Sequence, residues 1–346
     1  MAVITVTGEI SGRELGVTLA HEHIFCDTSK DFREPPEWVK AFCRDTGISL
    51  EGGVTLRNYG LLMREPQWSV DNQILSSYED ALEEFALAKR AGVQAVLDPT
   101  PIGLGRNPVG LRDLSQALGL HIVTGTGYYR QKFHPPETAT LTVEEIEEKM
   151  LRELLEGIDG TGVRAGVMGE LGMTGGQILP YERKTLIAAG RVNKRTNAPI
   201  MIHAEGGLEI RMEALRLLRA NGANLEKVHL CHICEAPHWK ELADTGASLG
   251  LDQFGSTFNV DSETVMLPTD VERIRALKRI LDAGYGRHVL IGNDICMKMR
   301  LHKYGGWGYD HILTNLTPYM HKEGITDEQL HMLHVENPAR FLDTAC

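Results

Sequence analysis

PIMIHAEG, residues 199–206, is a short apolar run that breaks at an ionisable side chain, His203. Upstream, RAGVMGELG (164–172) breaks at Glu170, and downstream KVHLCHIC (227–234) breaks at His232. Short runs rich in Val, Ile and Leu, separated by amphipathic helical stretches, mark βα units around a parallel sheet. Outward from this centre the pattern recurs in TLAHEHIF (18–25), VQAVLDPT (93–100), HIVTGTGYY (121–129), ASLGLDQF (247–254) and HVLIGND (288–294), giving eight strands. Eight strands alternating with helices close most simply into a (β/α)8 TIM barrel, an α/β fold.

The intervening stretches read as helices in their own right. SYEDALEEFALAKRAG (77–92) sets Ala81, Phe85 and Ala88 on one stripe and ends on Gly92, suited to a C-terminal cap. TVEEIEEKMLRELLEG (142–157) opens with Thr142 and Glu145 at capping-box spacing, and VERIRALKRILDAG (271–284) carries Ile274, Leu277 and Ile280 at helical spacing. AVITVTGEI (2–10) is expected to form a short hairpin under the barrel. No linker or low-complexity tract divides the chain, so 1–346 reads as one barrel domain. The longest irregular stretch, 26–75 after the first strand, holds Phe32, Trp38, Phe42, Tyr59 and Trp68. It is either a lid over a substrate pocket or an insertion packed on its own aromatic core.

Composition narrows the partners. With 36 Lys plus Arg against 47 Asp plus Glu, the net charge of −11 repels polyanions, so neither nucleic acid nor an anionic membrane is expected. The expected partner is a small-molecule substrate, with a homodimer as the candidate assembly. No apolar stretch approaches the roughly 20 residues that span a bilayer, and MAVITVTGEISG lacks the basic-then-apolar pattern of a leader, so a cytoplasmic protein is expected. The six cysteines, at 26, 43, 231, 234, 296 and 346, are scattered and read as reduced; Cys231 and Cys234 form a CxxC with no second pair to complete a zinc ribbon.

The chemistry lies at the strand ends. In His21-Glu22-His23 the two imidazoles share one face of the first strand, while Glu22 points the other way. Alone, such a pair is weak. Glu170, His203, His232 and Asp294, however, each end an apolar strand on the barrel face where catalytic residues gather. An ionisable group there costs folding free energy unless it is paired or metal-bound, and convergence on metal explains the whole set. Six ligands exceed one tetrahedral site and fit two divalent cations, with zinc the expected ion and manganese or cobalt the alternatives. The expected arrangement places His21, His23 and Asp294 on one ion and His203 and His232 on the other. Glu170 bridges them, and the paired charge lowers the pKa of a bridging water so that hydroxide is available near neutrality. Asp294 doubles as proton shuttle.

Two basic loops rise from the same face. ICMKMRLHKYGGWGYDH, after the last strand, carries Lys298, Arg300, His302 and Lys303, and Arg130 and Lys132 follow the third strand. They either clamp an anionic group of the substrate or pair with acidic residues of the long first insertion.

With these residues in place the chain resembles the phosphotriesterase-related family of the amidohydrolase superfamily, through LAHEH (19–23), GLGRNP (103–108), GTGYY (125–129), MGELG (168–172), IHAEG (202–206), GWGYDHIL (306–313) and ENPARFL (336–342). The resemblance implies a binuclear hydrolase with the six ligands named above. Glu170 stands where many phosphotriester-cleaving and lactonase members carry a carboxylated lysine, which points to the glutamate-bridged branch. Gln253, in GLDQFG, stands where lactonases acting on acyl-homoserine lactones usually carry arginine. Tyr129 matches a tyrosine that faces the bridging hydroxide in lactonase relatives, and is a candidate to polarise the substrate carbonyl. Arg130, Gln253, Lys298, Arg300 and Tyr309 are the candidate substrate contacts. The expected reaction is hydrolysis of a carboxylic ester, lactone or amide of a small, anionic molecule. Phosphotriester hydrolysis is the alternative, and a catalytically silent metal-bearing binding protein is the less favoured third reading.

Overall fold

A computed structural model describes residues 1–233, 237–256, 260–261 and 265–345. Cys234 and Cys346 fall outside the described residues, so the CxxC reading is represented by Cys231 alone.

All eight expected strands are present, as β1 (Thr18–Leu19), β2 (Ala95–Asp98), β3 (His121–Thr126), β4 (Val167–Met173), β5 (Ile200–Ala204), β6 (Val228–Leu230), β7 (Ser248–Leu251) and β8 (Val289–Ile291). They pair in chain order, every pair parallel. The seam between the first and last strands is closed just beyond their ends, where Ala20 N donates to Ile291 O (3.2 Å) and Asp294 N donates to His21 O (3.0 Å). Most strands are shorter than the apolar runs that announced them. One cause is that the chain turns out of the sheet at the functional end: His232 and Asp294 take φ of 61° and 52°, left-handed values that no strand accommodates.

Leu97, Val123, Val167, Met201, Cys231 and Leu290 fill the barrel interior as one buried cluster. The same cluster takes in Val3, Leu15, Phe341 and Leu342, so the N-terminal hairpin and the helix Asn337–Leu342 plug the floor. Complete burial of each such side chain contributes about 1.5–3 kcal/mol, and that packing leaves the opposite end free for polar residues. The hairpin itself pairs Ala2–Thr5 with Gly8–Ser11 as expected.

The outer helices follow their sequence signals. Ser77 caps the helix Tyr78–Arg90, which buries Ala81, Phe85 and Ala88. Thr142 and Glu145 form the capping box of Val143–Leu155. Among the described residues, no helix is long and apolar enough to cross a membrane.

The 26–75 insertion is tied at its base by antiparallel pairing of Cys26–Asp27 with Ile74–Leu75. It carries the helices Glu37–Thr46 and Tyr59–Arg64, and its Val39, Leu50, Leu62 and Trp68 pack with Met299 into a small core of their own. Its aromatics divide: Trp68 is buried there, while Phe32, Trp38 and Phe42 stay exposed.

Candidate metal centre

The alternation of β1 and the parallel registers of β4, β5, β6 and β8 bring six side chains together at the C-terminal mouth. Glu170 is central: its Oε1 lies 3.1 Å from His203 Nδ1, 3.1 Å from His232 Nε2 and 3.7 Å from His21 Nε2, and its Oε2 lies 3.8 Å from His23 Nε2. Asp294 Oδ1 completes the set, 3.4 Å from His23 Nε2 and 3.7 Å from His21 Nε2. Among the described residues three groups of donor atoms each lie within 4.8 Å of one another: His21 with Cys231 and Asp252 behind the mouth, His21 with His23 and Glu170, and Glu170 with His203 and His232. The last two hold the expected ligands. Glu170 belongs to both.

This donor set fits a pair of divalent cations, because outer acceptors turn each imidazole inward. His21 Nδ1 meets Asp252 Oδ2 at 2.8 Å, His23 Nδ1 meets Thr100 Oγ1 at 2.8 Å, and His232 Nδ1 meets Asp252 Oδ1 at 3.0 Å. In each the Nε2 is left facing the mouth, and His21 Nε2 is buried without a hydrogen-bond partner. His203 is reversed, with Nε2 on Glu205 Oε1 at 2.9 Å and Nδ1 inward. A ring nitrogen pinned from outside is how metal-ligating histidines are oriented and their tautomer set.

Electrostatics agree. Burial works against a proton on His21, but Glu170, Asp252 and Asp294 outweigh it and raise the group to about 9. His203 and His232 are raised by carboxylates in the same way. Burial would raise Glu170 and Asp252, yet the surrounding histidines hold both well below the usual carboxylate range. The mouth demands positive charge, which protons supply in the metal-free protein and bound cations supply otherwise.

Three buried carboxylates behind the ligands are given no role by the sequence, which shows Glu22 only as pointing away from the histidine face: Glu22, Asp98 and Asp252. Asp252 holds two ligand rings and also accepts from His232 N at 2.9 Å, fixing that residue's left-handed backbone. Asp98 accepts from Ile24 N (3.1 Å) and Thr100 N (2.9 Å), so it braces His23 and the threonine that orients it. Glu22 binds the amides around Asp294; burial pushes its carboxyl up to about 8 despite the N–H donors. Asp98 and Asp252 end apolar strands just as Asp294 does, and that rule, applied to VQAVLDPT and ASLGLDQF, finds them.

The ligands open onto a cavity of about 1160 Å³ whose apolar lining includes Leu62, Met63 and Pro66 of the insertion together with Met297 and Met299, which pack with it. Tyr129, Arg130, Gln253 and Arg300 are among its lining residues. The Tyr129 hydroxyl lies 3.2 Å from His203 Nε2, and burial raises its pKa well above the ordinary value, so it stays a proton donor.

Two expected contacts do not reach the cavity. Tyr309 is 2% exposed, stacks on Phe85 at 4.2 Å and donates its hydroxyl to His23 O at 2.8 Å, which turns it into the core. Lys298 is spent on Asp71 of the insertion at 2.6 Å. Most of the basic loops pair likewise: Lys303 with Asp80 (2.6 Å), His302 with Asp310 (2.6 Å), Lys132 with Asp31, and Arg130 with Asp31 and with Glu205 (3.1 Å). Arg300 differs. Its Nη1 donates to the carbonyls of Asp294 (3.2 Å) and Asn293 (3.4 Å), and its buried Nη2 has no partner among the described residues.

A model of the phosphotriesterase family matches residues 1–342. An N-acetyltaurine hydrolase of Danio rerio is 33% identical over 350 residues, covering 98% of this chain and 97% of the relative. A resiniferatoxin-binding protein of Rhodobacter sphaeroides superposes with a TM-score of 0.92 at 32% identity, over 99% of this chain and 95% of the other. A phosphotriesterase homology protein of Escherichia coli, solved with phosphate in its active site, gives 0.77 at 28% identity, over 95% and 99%.

Proposed function

The chain belongs to the phosphotriesterase family, and from that premise we propose that this hydrolase cleaves the amide or ester bond, lactones included, of a small molecule bearing an anionic group. The observation that carries the anionic part is Arg300, a cavity-wall cation with no carboxylate within ion-pair distance among the described residues and its buried Nη2 unpaired there. A guanidinium so placed binds carboxylate, sulfonate or phosphate through charge-assisted hydrogen bonds. The similarity to a hydrolase named for N-acetyltaurine, an amide ending in a sulfonate, supports the same reading.

His21, His23 and Asp294 would hold one cation, His203 and His232 the other, with Glu170 shared; zinc is the proposed ion, manganese or cobalt the alternatives. Two such ions supply Lewis acidity toward a carbonyl oxygen and make water a nucleophile near neutral pH. The chain's own groups do the rest. Arg300 anchors the anion, Tyr129 donates a hydrogen bond toward the carbonyl, and Asp294 accepts a proton from the attacking water and returns it to the leaving group.

The test is a panel of N-acyl amino acids and sulfonates, lactones, neutral esters and amides, and phosphotriesters, run on protein carrying two equivalents of metal. Anionic substrates should lead, and Arg300→Ala should raise their KM by about tenfold while leaving KM for neutral analogues unchanged. Equal kcat/KM for anionic and neutral analogues, with Arg300→Ala silent on both, would overturn the anion site. Preference for phosphotriesters would overturn the bond assignment.

A further inference from the structure

Asp294 sits at a point where the barrel's hydrogen bonding is interrupted. Its φ of 52° rotates the flanking peptides, and left-handed backbone at a residue with a side chain persists only where the surroundings hold it. Its own amide reaches the neighbouring strand through His21 O, but those on either side take a side chain. Asn293 N donates to Glu22 Oε1 at 2.8 Å, and Ile295 N donates to Glu22 Oε2 at 3.2 Å. Asn293 Nδ2 adds a third bond to Oε1 at 2.8 Å and a second of its own to Tyr309 O at 3.1 Å. Tyr309 then returns to β1 through its hydroxyl on His23 O. Glu22 is 0% exposed and lies between two ligands, His21 and His23, without belonging to the ligand set.

We propose that Glu22 is a positioning residue for hydrolysis: its carboxyl group spans the barrel seam, accepts from the amides on both sides of Asp294, and so fixes the bend from which Asp294 transfers protons. A structural carboxylate serving only stability could sit anywhere along the seam. This one has its acceptors divided, one oxygen for each side of the residue that handles the proton. Displacing Asp294 by even about an ångström weakens proton transfer far more than it weakens binding, because binding is shared with cavity walls that this bend does not hold. The proposal rests on the proton-transfer role given to Asp294 above.

Glu22→Gln keeps the volume and one oxygen, and sets an NH2 group against an amide that needs an acceptor. With two metals loaded, kcat should fall about tenfold or more while KM stays within about twofold. In the metal-free protein, amide hydrogen exchange in segment 293–295 should accelerate by a similar factor, a readout that needs no turnover. Asn293→Ala, which removes only the Nδ2 bonds, is the milder variant and should shift both quantities in the same direction by less. Glu153→Gln is the control, since this buried carboxylate pairs with Arg106, neither residue lines the cavity, and its loss should cost stability without changing kcat. Parent-like kcat and exchange in both Glu22→Gln and Asn293→Ala would overturn the proposal. If Asp294→Asn leaves kcat unchanged, the proton-transfer reading fails instead, and the exchange experiment still reports whether Glu22 holds the bend.

Discussion

His21 at the mouth of the barrel and two histidines deeper in its wall, His229 and His334, are all buried and behave in opposite ways. At the mouth, Glu170, Asp252 and Asp294 overcome desolvation and raise His21 to about 9. His334, in the segment Met332–Glu336, meets no such charge; burial drives it down to about 4, and the Thr18 backbone compensates only in part. His229, on β6 and packed on Phe341, is also lowered by burial although Asp252 lies 3.7 Å away. Depth in the core therefore does not decide whether an imidazole becomes a ligand. Surrounding carboxylates do, and they are gathered at one end because the floor is plugged with apolar side chains.

The strongest way to break this contrast is to neutralise its centre. Glu170→Gln keeps the shape and removes the charge that both groups of donors share, so at least one of two metals should be lost and turnover should fall by about a thousandfold or more. Elemental analysis and kinetics check this together; full metal content with parent turnover would reduce Glu170 to a structural carboxylate.

The wall side of the contrast shows in acid. His334 stays neutral in the fold down to about 4, while in the unfolded chain it takes up a proton near its ordinary value of 6.5. Its contribution to stability is therefore complete above about pH 6.5 and is lost as pH falls toward 4, by about 3 kcal/mol in all. Replacing it with Leu should flatten that part of the stability curve, measured by denaturant unfolding between pH 4 and 8. An unchanged slope would assign the acid sensitivity to other groups.

A smaller change sharpens the comparison at its boundary. Asp252→Asn leaves all six ligands in place but weakens the acceptors that orient His21 and His232, so metal affinity should drop by about 10- to 100-fold. Competition with a chelator measures it. Parent affinity would mean that the two rings are oriented by packing alone.

The mouth was more legible in the sequence than the residues that support it. His203, Glu170, His232 and Asp294 stand out because each interrupts an apolar run, and the run itself locates the strand end. Asp98 and Asp252 interrupt their runs in the same way, but nothing in one chain separates a carboxylate that binds metal from one that orients a ligand ring. The basic loops were ambiguous for a different reason: Lys298 meets Asp71 across 227 residues of chain, and Arg130 meets Asp31 across 99. Tyr309 was misplaced because its direction depends on the ring of Phe85 in a distant helix. Local pattern reports periodicity and chain breaks, and pairings between loops lie beyond it.

The left-handed backbone at His232 and Asp294 ties the strain of the fold to its function. Glycine would relax either position, yet His232→Gly or Asp294→Gly also strips a partner from buried charges, a loss of about 3–5 kcal/mol that exceeds the strain relieved. A search for heat tolerance therefore gains nothing by substituting here, and the two strained positions should survive it.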